Sequence, residues 1–307
     1  MDAGAALRKH QATLAKEREH KERYRRKLER DARRLHFAWI EGHDTLYKFK
    51  SLQGDSCAQV LDMIENSRIY FSAPDQFNDP LDCAPVFKLA KPVSDPVFVA
   101  ELMAEEEEMI ANSGKSEEEI AELRKEAVDI RQGGAAITTT TRQLFRRDTR
   151  VFCLSARQDH PLLWSHYADS HRGVCLHFQC RAGTLIGAAR AVKYRRTRLP
   201  VLVPFHYNKG ATDDIADLMV QVKADFWSYE EEYRIIGHEG TDWGYKLEGR
   251  YCSFPAELLS GISLGMNISS ADKNIVVNWA TRRVPPLRVY EAFEDMRQFG
   301  VGFRWIA

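Results

Sequence analysis

The chain has 307 residues and sets 44 Lys+Arg against 44 Asp+Glu, with 44% hydrophobic and 10% aromatic residues. Such a globular composition excludes a wholly disordered, collagenous or disulfide-stapled chain, and the length allows one large domain or two modest ones. Zero net charge excludes a chain that is basic throughout, but leaves local patches open.

No run reaches the roughly 20 apolar residues needed to span a bilayer. The first residues, MDAGAALRKHQATLAKEREH, lack the apolar core of a secretory signal. Cys57, Cys83, Cys153, Cys175, Cys180 and Cys252 form no CxxC pair. They read as reduced thiols of a cytoplasmic protein. Neither they nor His160, His166, His171 and His177 have metal-ligand spacing, so no metal centre is expected.

Neutrality breaks down along the chain. Residues 1–35 carry 12 Lys/Arg and 6 Asp/Glu, a net of +6, with no proline. We read 1–36 as a basic helical extension, either a solvated surface or a contact for nucleic acid or a protein target. A single domain is expected over 44–307. TLYKFKSL reads as its first strand, a helix fits from about Ser56, and RIYFS (68–72) reads as the second strand. APDQFNDPLD forces a loop. Residues 101–126 hold 10 Glu against 3 Lys/Arg, a net of −7, and 93–131 reads as an inserted acidic helical pair. Ser116 and Glu119 form an S-x-x-E capping box. RQLFRRDTR follows, with Arg142, Arg146, Arg147 and Arg150 as further candidate contacts for an acidic target.

The second half alternates. VFCLS (151–155), GVCLHFQ (173–179), VKYR, LPVLVPFHY, EYRIIGH (232–238), ISLGM, LRVYEA and GFRWI read as strands. HPLLWSHYADSH fits a short helix or loop, ATDDIADLMVQVKADFW an amphipathic helix, and a last helix falls near 270–280. There is no regular βαβ beat, no G-x-G-x-x-G and no P-loop. The expected fold is therefore α+β, a mixed and largely antiparallel sheet with flanking helices.

Polar residues cluster where packing would not put them: Tyr47-Lys48; Ser72 with Asn78-Asp79-Pro80; Trp164-Ser165-His166-Tyr167; and Lys223 with Glu230, Glu232 and Arg234. Strand alternation would place Glu230 and Glu232 on one face with Glu231 opposite. Two readings of that face stand side by side. It is an ion-pair ladder joined by Lys223, or it is an active site. Asn78-Asp79-Pro80 likewise reads as a turn or a site element, and Trp164 and Tyr167 as core or cofactor platform.

The ordered set LYKF, YFSAPDQFNDP, CLS with PLLWSHYADSHRGVCLHF, and KADFWSYEEEYRI resembles the bacterial family catalogued as domain of unknown function 2971. The resemblance runs from about Leu46 to the C-terminus; Leu163 stands where the family commonly has methionine. It implies a neighbourhood of abortive-infection and phage-defence proteins. The layout also resembles ADP-ribosyltransferases: an aromatic or basic residue on the first strand, a helix, a strand leading to Ser/Thr, and a later E-x-E. That resemblance implies NAD⁺ as substrate, with Glu232 and Glu230 catalytic. Tyr47, Lys48, Tyr70, Ser72, Asn78, Asp79, His166 and Arg234 would then surround the dinucleotide. Two other functions fit the same residues: a non-enzymatic nucleotide or phage-component sensor, and a metal-dependent nuclease built on Asp79, Glu230, Glu232 and Lys223.

Overall fold

The computed structural model describes Arg33 and residues 36–92, 94–111, 116–121, 142–143, 145–198, 200–203, 215–237 and 247–307. The basic extension, apart from Arg33 and residue 36, and most of the acidic insertion lie outside these residues. Within the insertion, α2 (Pro96–Ala111) is helical. Ser116 and Glu119 do form the capping box, with Ser116 N–H donating to Glu119 at 2.9 Å and Glu119 N–H to Ser116 Oγ at 3.4 Å.

One eight-stranded sheet organises the fold, in the order β14-β13-β12-β5-β1-β4-β10-β6. Its members are β1 (Thr45–Lys50), β4 (Arg150–Ser155), β5 (Val174–Gln179), β6 (Arg190–Ala191), β10 (Glu232–Gly237), β12 (Leu259–Leu264), β13 (Arg288–Glu294) and β14 (Val301–Trp305). Only the β12/β13 pair is parallel. A parallel pair needs a crossover, and α5 (Ser270–Arg282) supplies it, capped by Ser269 Oγ on Asp272 N–H at 3.0 Å. The α+β architecture with a largely antiparallel sheet is thus the one expected. Three small sheets pair β2 (Arg68–Tyr70) with β11 (Tyr251–Ser253), β3 (Val86–Leu89) with β8 (Pro200–Val203), and β7 (Lys193–Arg195) with β9 (Val222–Ala224).

The central strands bury both faces. One face carries Leu46, Phe152, Leu154, Leu176, Phe178, Tyr233 and Ile235, and is covered by α1 (Gly54–Glu65) through Val60, Met63 and Ile64 and by α5 through Val276 and Ala280. The opposite face holds Phe49 and Cys175 under α3 (Pro161–Tyr167), whose Trp164 is fully buried edge-on to Phe49 at 5.2 Å. Trp164 and Leu163 are therefore core. Among the described residues no helix is long and apolar enough to cross a membrane.

Two expectations need correction. The segment 211–227 is not one helix: α4 (Ile215–Val220) ends there, and β9 with a 3₁₀ turn (Asp225–Glu230) takes over. Parallel pairing of β9 with β7, Tyr194 opposite Lys223, overrides the local helix preference. Glu230 also closes that 3₁₀ turn instead of lying in the strand, which starts at Glu232.

Candidate functional site

The site grows from strand register. Across β1, β4 and β10, Tyr47 lies opposite Ser155 and Ser155 opposite Glu232. Directly opposite residues share a face, so these three form one row beneath α3. Arg234, two residues along β10, follows on the same face opposite Cys153. Glu231 adopts a left-handed backbone (φ 43°), which turns its side chain outward and brings Glu230 beside Glu232. The pair of glutamates on one side was expected. The device is a strained turn, not alternation.

The loop 72–83 brings the remaining acid. Ser72 bridges to Val151 through two backbone hydrogen bonds of 3.0 and 2.8 Å. Arg146 stitches the loop down, donating to the carbonyls of Pro74, Pro80 and Asp82 at 2.8, 2.9 and 3.1 Å. Asp79 accepts from Leu81 N–H and from Trp227 Nε1, both at 2.8 Å. Asp82 thereby arrives at Arg234, 2.7 Å from its Nη2.

Three carboxylates and two cations are buried together. Lys223 Nζ lies 2.5 Å from Glu230, 3.0 Å from Glu232 and 3.5 Å from Asp82. Arg234, wholly buried, grips Glu232 with Nε at 2.7 Å and Nη2 at 2.8 Å, and gives Nη1 to the Val220 carbonyl at 2.6 Å. Tyr167 donates to Glu230 Oε1 at 2.6 Å, and Ser155 to the Glu230 carbonyl at 2.6 Å. Glu232 N–H donates to the Tyr194 hydroxyl at 2.8 Å. The ladder expected from the sequence is therefore correct as geometry, and it faces a cavity.

Environment separates the two glutamates. Burial pushes the Glu230 carboxyl upward, the neighbouring Glu232 charge adds to this, and Lys223 and Tyr167 only partly offset them. Burial acts the same way on Glu232, but Arg234 and Lys223 outweigh it and hold its carboxyl well below the usual range. Lys223 is raised because its acidic neighbours overcome its burial. Two carboxylates driven apart in this way are equipped for different roles.

The cavity has a volume of about 270 Å³. Of the expected residues, Tyr47, Lys48, Ser72, Asn78, Glu230 and Glu232 line it. Asp82, Cys153, Ser155, Tyr167 and Lys223 line it too. Lys48 is held over the Phe152 ring at 4.9 Å and donates to the Cys153 carbonyl at 2.8 Å, and burial lowers its pKa.

The other expected residues do structural work instead of lining the cavity. Tyr70 packs edge-on to Tyr251 at 5.4 Å and donates to Gln76 at 3.2 Å. Asp79 anchors Trp227, and His166 sits edge-on to Trp227 at 5.8 Å. Arg234 stays behind the carboxylates, positioning them.

Three of the four arginines expected to meet an acidic target have local roles. Arg146 clamps the loop, Arg150 is buried and donates to the Arg147 and Thr149 carbonyls at 2.6 and 3.2 Å, and Arg147 pairs with Asp148 at 3.0 Å.

Asp82, Ser155 and Tyr194 are not legible as site residues in the sequence. The one signal for an acid is Arg234 in the apolar strand EYRIIG, since a buried guanidinium requires a counter-charge. Which acid would supply it depends on tertiary contact.

No protein-family model, no curated protein and no solved structure matches the chain.

Proposed function

We propose that the cavity is the active site of an ADP-ribosyltransferase-like toxin or antiphage effector that uses NAD⁺ to modify a macromolecule. The observation that carries this is the row Tyr47–Ser155–Glu232 with Glu230 beside it, an ionised and a protonatable carboxylate over one cavity. It supports the order of residues from which the resemblance to ADP-ribosyltransferases was drawn, with Ser155 taking the place that the sequence pattern gave to Ser72.

The chemistry follows from that division. As the bond from ribose C1′ to the nicotinamide nitrogen breaks, its electron pair leaves with nicotinamide and positive charge develops on the ribose. Glu232, kept anionic by Arg234 and Lys223, sets a carboxylate beside that developing charge. A hydroxyl or amine of the target attacks C1′, and Glu230 accepts its proton. Tyr47 offers a ring for the nicotinamide. Lys48 alternates to the face of Leu46 and Phe152, where the Phe152 ring and the Cys153 carbonyl hold its ammonium, so the expected contact of Lys48 with the dinucleotide is not carried forward.

A metal-dependent nuclease fits less well. Asp79, one of its expected acids, is turned away to Leu81 N–H and Trp227, and each carboxylate oxygen of Glu230 and Glu232 already accepts from a protein donor, Lys223 and Arg234 among them. A divalent ion would have to displace them.

The test uses NAD⁺ labelled in its adenylate half, incubated with protein and nucleic-acid acceptors. Transfer by the wild type, lost in Glu230→Gln, supports the reading. Stabilisation by NAD⁺ or ADP-ribose with neither transfer nor nicotinamide release would favour a sensor.

A further inference from the structure

Lys223 also lines a second cavity, of about 190 Å³. Leu81 and Pro85 form one wall, Val222 and Phe226 another, and Arg196 and Arg198 stand at the rim. Among the described residues no carboxylate lines it. Arg196 and Arg198 are exposed, and Arg198 is steadied by donating to the Leu81 carbonyl at 3.1 Å.

More positive charge gathers nearby. Burial lowers the Arg142 guanidinium, and the charges of Arg198 and Arg146 lower it further, so these three crowd together. The Arg146 bonds to three backbone carbonyls satisfy its donors without cancelling its charge. Asp225 is exposed beside Phe226, and Asp82, next to Leu81, is turned to Arg234 and Lys223. Like charges held together in this way favour an anion between them.

Phe226 says which anion. Its side chain is 65% exposed, on a 3₁₀ turn between β9 and Glu230, with the Trp227 ring 6.0 Å behind it. An aromatic ring left in water beside a cationic groove is the arrangement that single strands use, phosphates on arginine and a base on the ring. A duplex offers the phosphates but keeps its bases stacked, and an acidic peptide has no flat base to cover Phe226.

We propose that this face binds single-stranded nucleic acid, with phosphates on Arg196 and Arg198 and a base on Phe226. As a statement about the target of modification it rests on the reading of the first cavity as a transfer site. The shared Lys223 and the adjoining Leu81 and Asp82 place the bound strand next to Glu230.

Fluorescence anisotropy with labelled 20-nucleotide DNA and RNA single strands, without NAD⁺, tests the binding. Phe226→Ala should weaken it by about 5- to 150-fold, as loss of one base stack does. The Arg196→Ala/Arg198→Ala double variant should reduce the slope of log affinity against log salt by about 1.4, near 0.7 for each phosphate no longer neutralised. The charge-matched control Arg288→Ala/Arg297→Ala, far along the sheet, should leave the slope unchanged, and thermal unfolding of every variant checks the fold.

No binding by the wild type, equal binding of a duplex or of poly-glutamate, or equal loss in the control would overturn the proposal. Binding with this pattern but no nicotinamide release on adding NAD⁺ would sink the transferase reading and leave the surface standing. Nicotinamide release without strand binding would do the reverse.

Discussion

Arg234 offers the sharpest test of how the buried cluster is held. Arg234→Met keeps much of the side-chain volume and removes the guanidinium. The residue is fully buried and supplies donors to Glu232, Asp82, Cys83 and the Val220 carbonyl. Each charged hydrogen bond is worth about 1.5–3 kcal/mol, but the bonds share one group and do not add. The governing cost is that of leaving three carboxylates buried with only Lys223 opposite. Breaking a buried pair in this way costs about 3–5 kcal/mol, the loss expected at pH 7.

The sign of the pH dependence is fixed. In the wild type Glu232 titrates below its unfolded value, so it contributes stability above that value and loses it as pH falls through the folded one. Without Arg234 its carboxyl should move up, and its burial then costs stability as pH rises. The gap between the two proteins should therefore narrow from pH 7 towards pH 4. Urea unfolding followed by tryptophan fluorescence measures this. A loss under about 1 kcal/mol, or a gap that does not change with pH, would refute the reasoning.

Other expectations are simpler to check. Tyr167→Phe removes a bond that lowers the Glu230 carboxyl, so the acidic limb of kcat/KM for nicotinamide release should move to higher pH, with about 1 kcal/mol of stability lost. Burial, with the Lys48 charge, lowers the Lys50 ammonium to about 7, and its partner is Gln59. Its folded value lies below its unfolded one, so its contribution to stability is present above about 10.5 and is lost as pH falls towards 7. Lys50→Met should thus raise Tm more at pH 6 than at pH 10, and an equal shift at both would count against it. Asp79→Asn should lower Tm by a few degrees through the weakened Trp227 bond, read by calorimetry.

The sheet was legible because its strands carry their own signals. TLYKFK, VFCLS and EYRIIG pair β-branched or aromatic residues with strand-length runs, and each is a strand here. The capping box at Ser116 was legible from local chemistry, whereas the segment of α3 read equally as a short helix or a loop. Features set by tertiary contact were not. VKA in 222–224 looks helical until β7 is beside it. The left-handed Glu231 has no local marker, since glutamate rarely adopts φ above zero. Ser155 entered the site through register with Tyr47 and Glu232, which no single segment encodes. The local roles of Arg146 and Arg150 were hidden because sequence shows their charge but not the carbonyls that take their donors.

Glu230 is the residue on which the transferase proposal depends most. Glu230→Gln keeps its shape but leaves one acceptor oxygen where Glu230 takes bonds from both Tyr167 and Lys223, so some stability should be lost, and thermal unfolding checks that the variant is folded at the assay temperature. The decisive measurement is the rate of nicotinamide release from NAD⁺ by wild type and Glu230→Gln at pH 7, with binding of ADP-ribose as a check on the site. The expected result is release by the wild type, reduced about 10²- to 10⁴-fold in the variant with ADP-ribose binding retained. Equal rates in the two proteins, or no release by the wild type with an acceptor present, would contradict it.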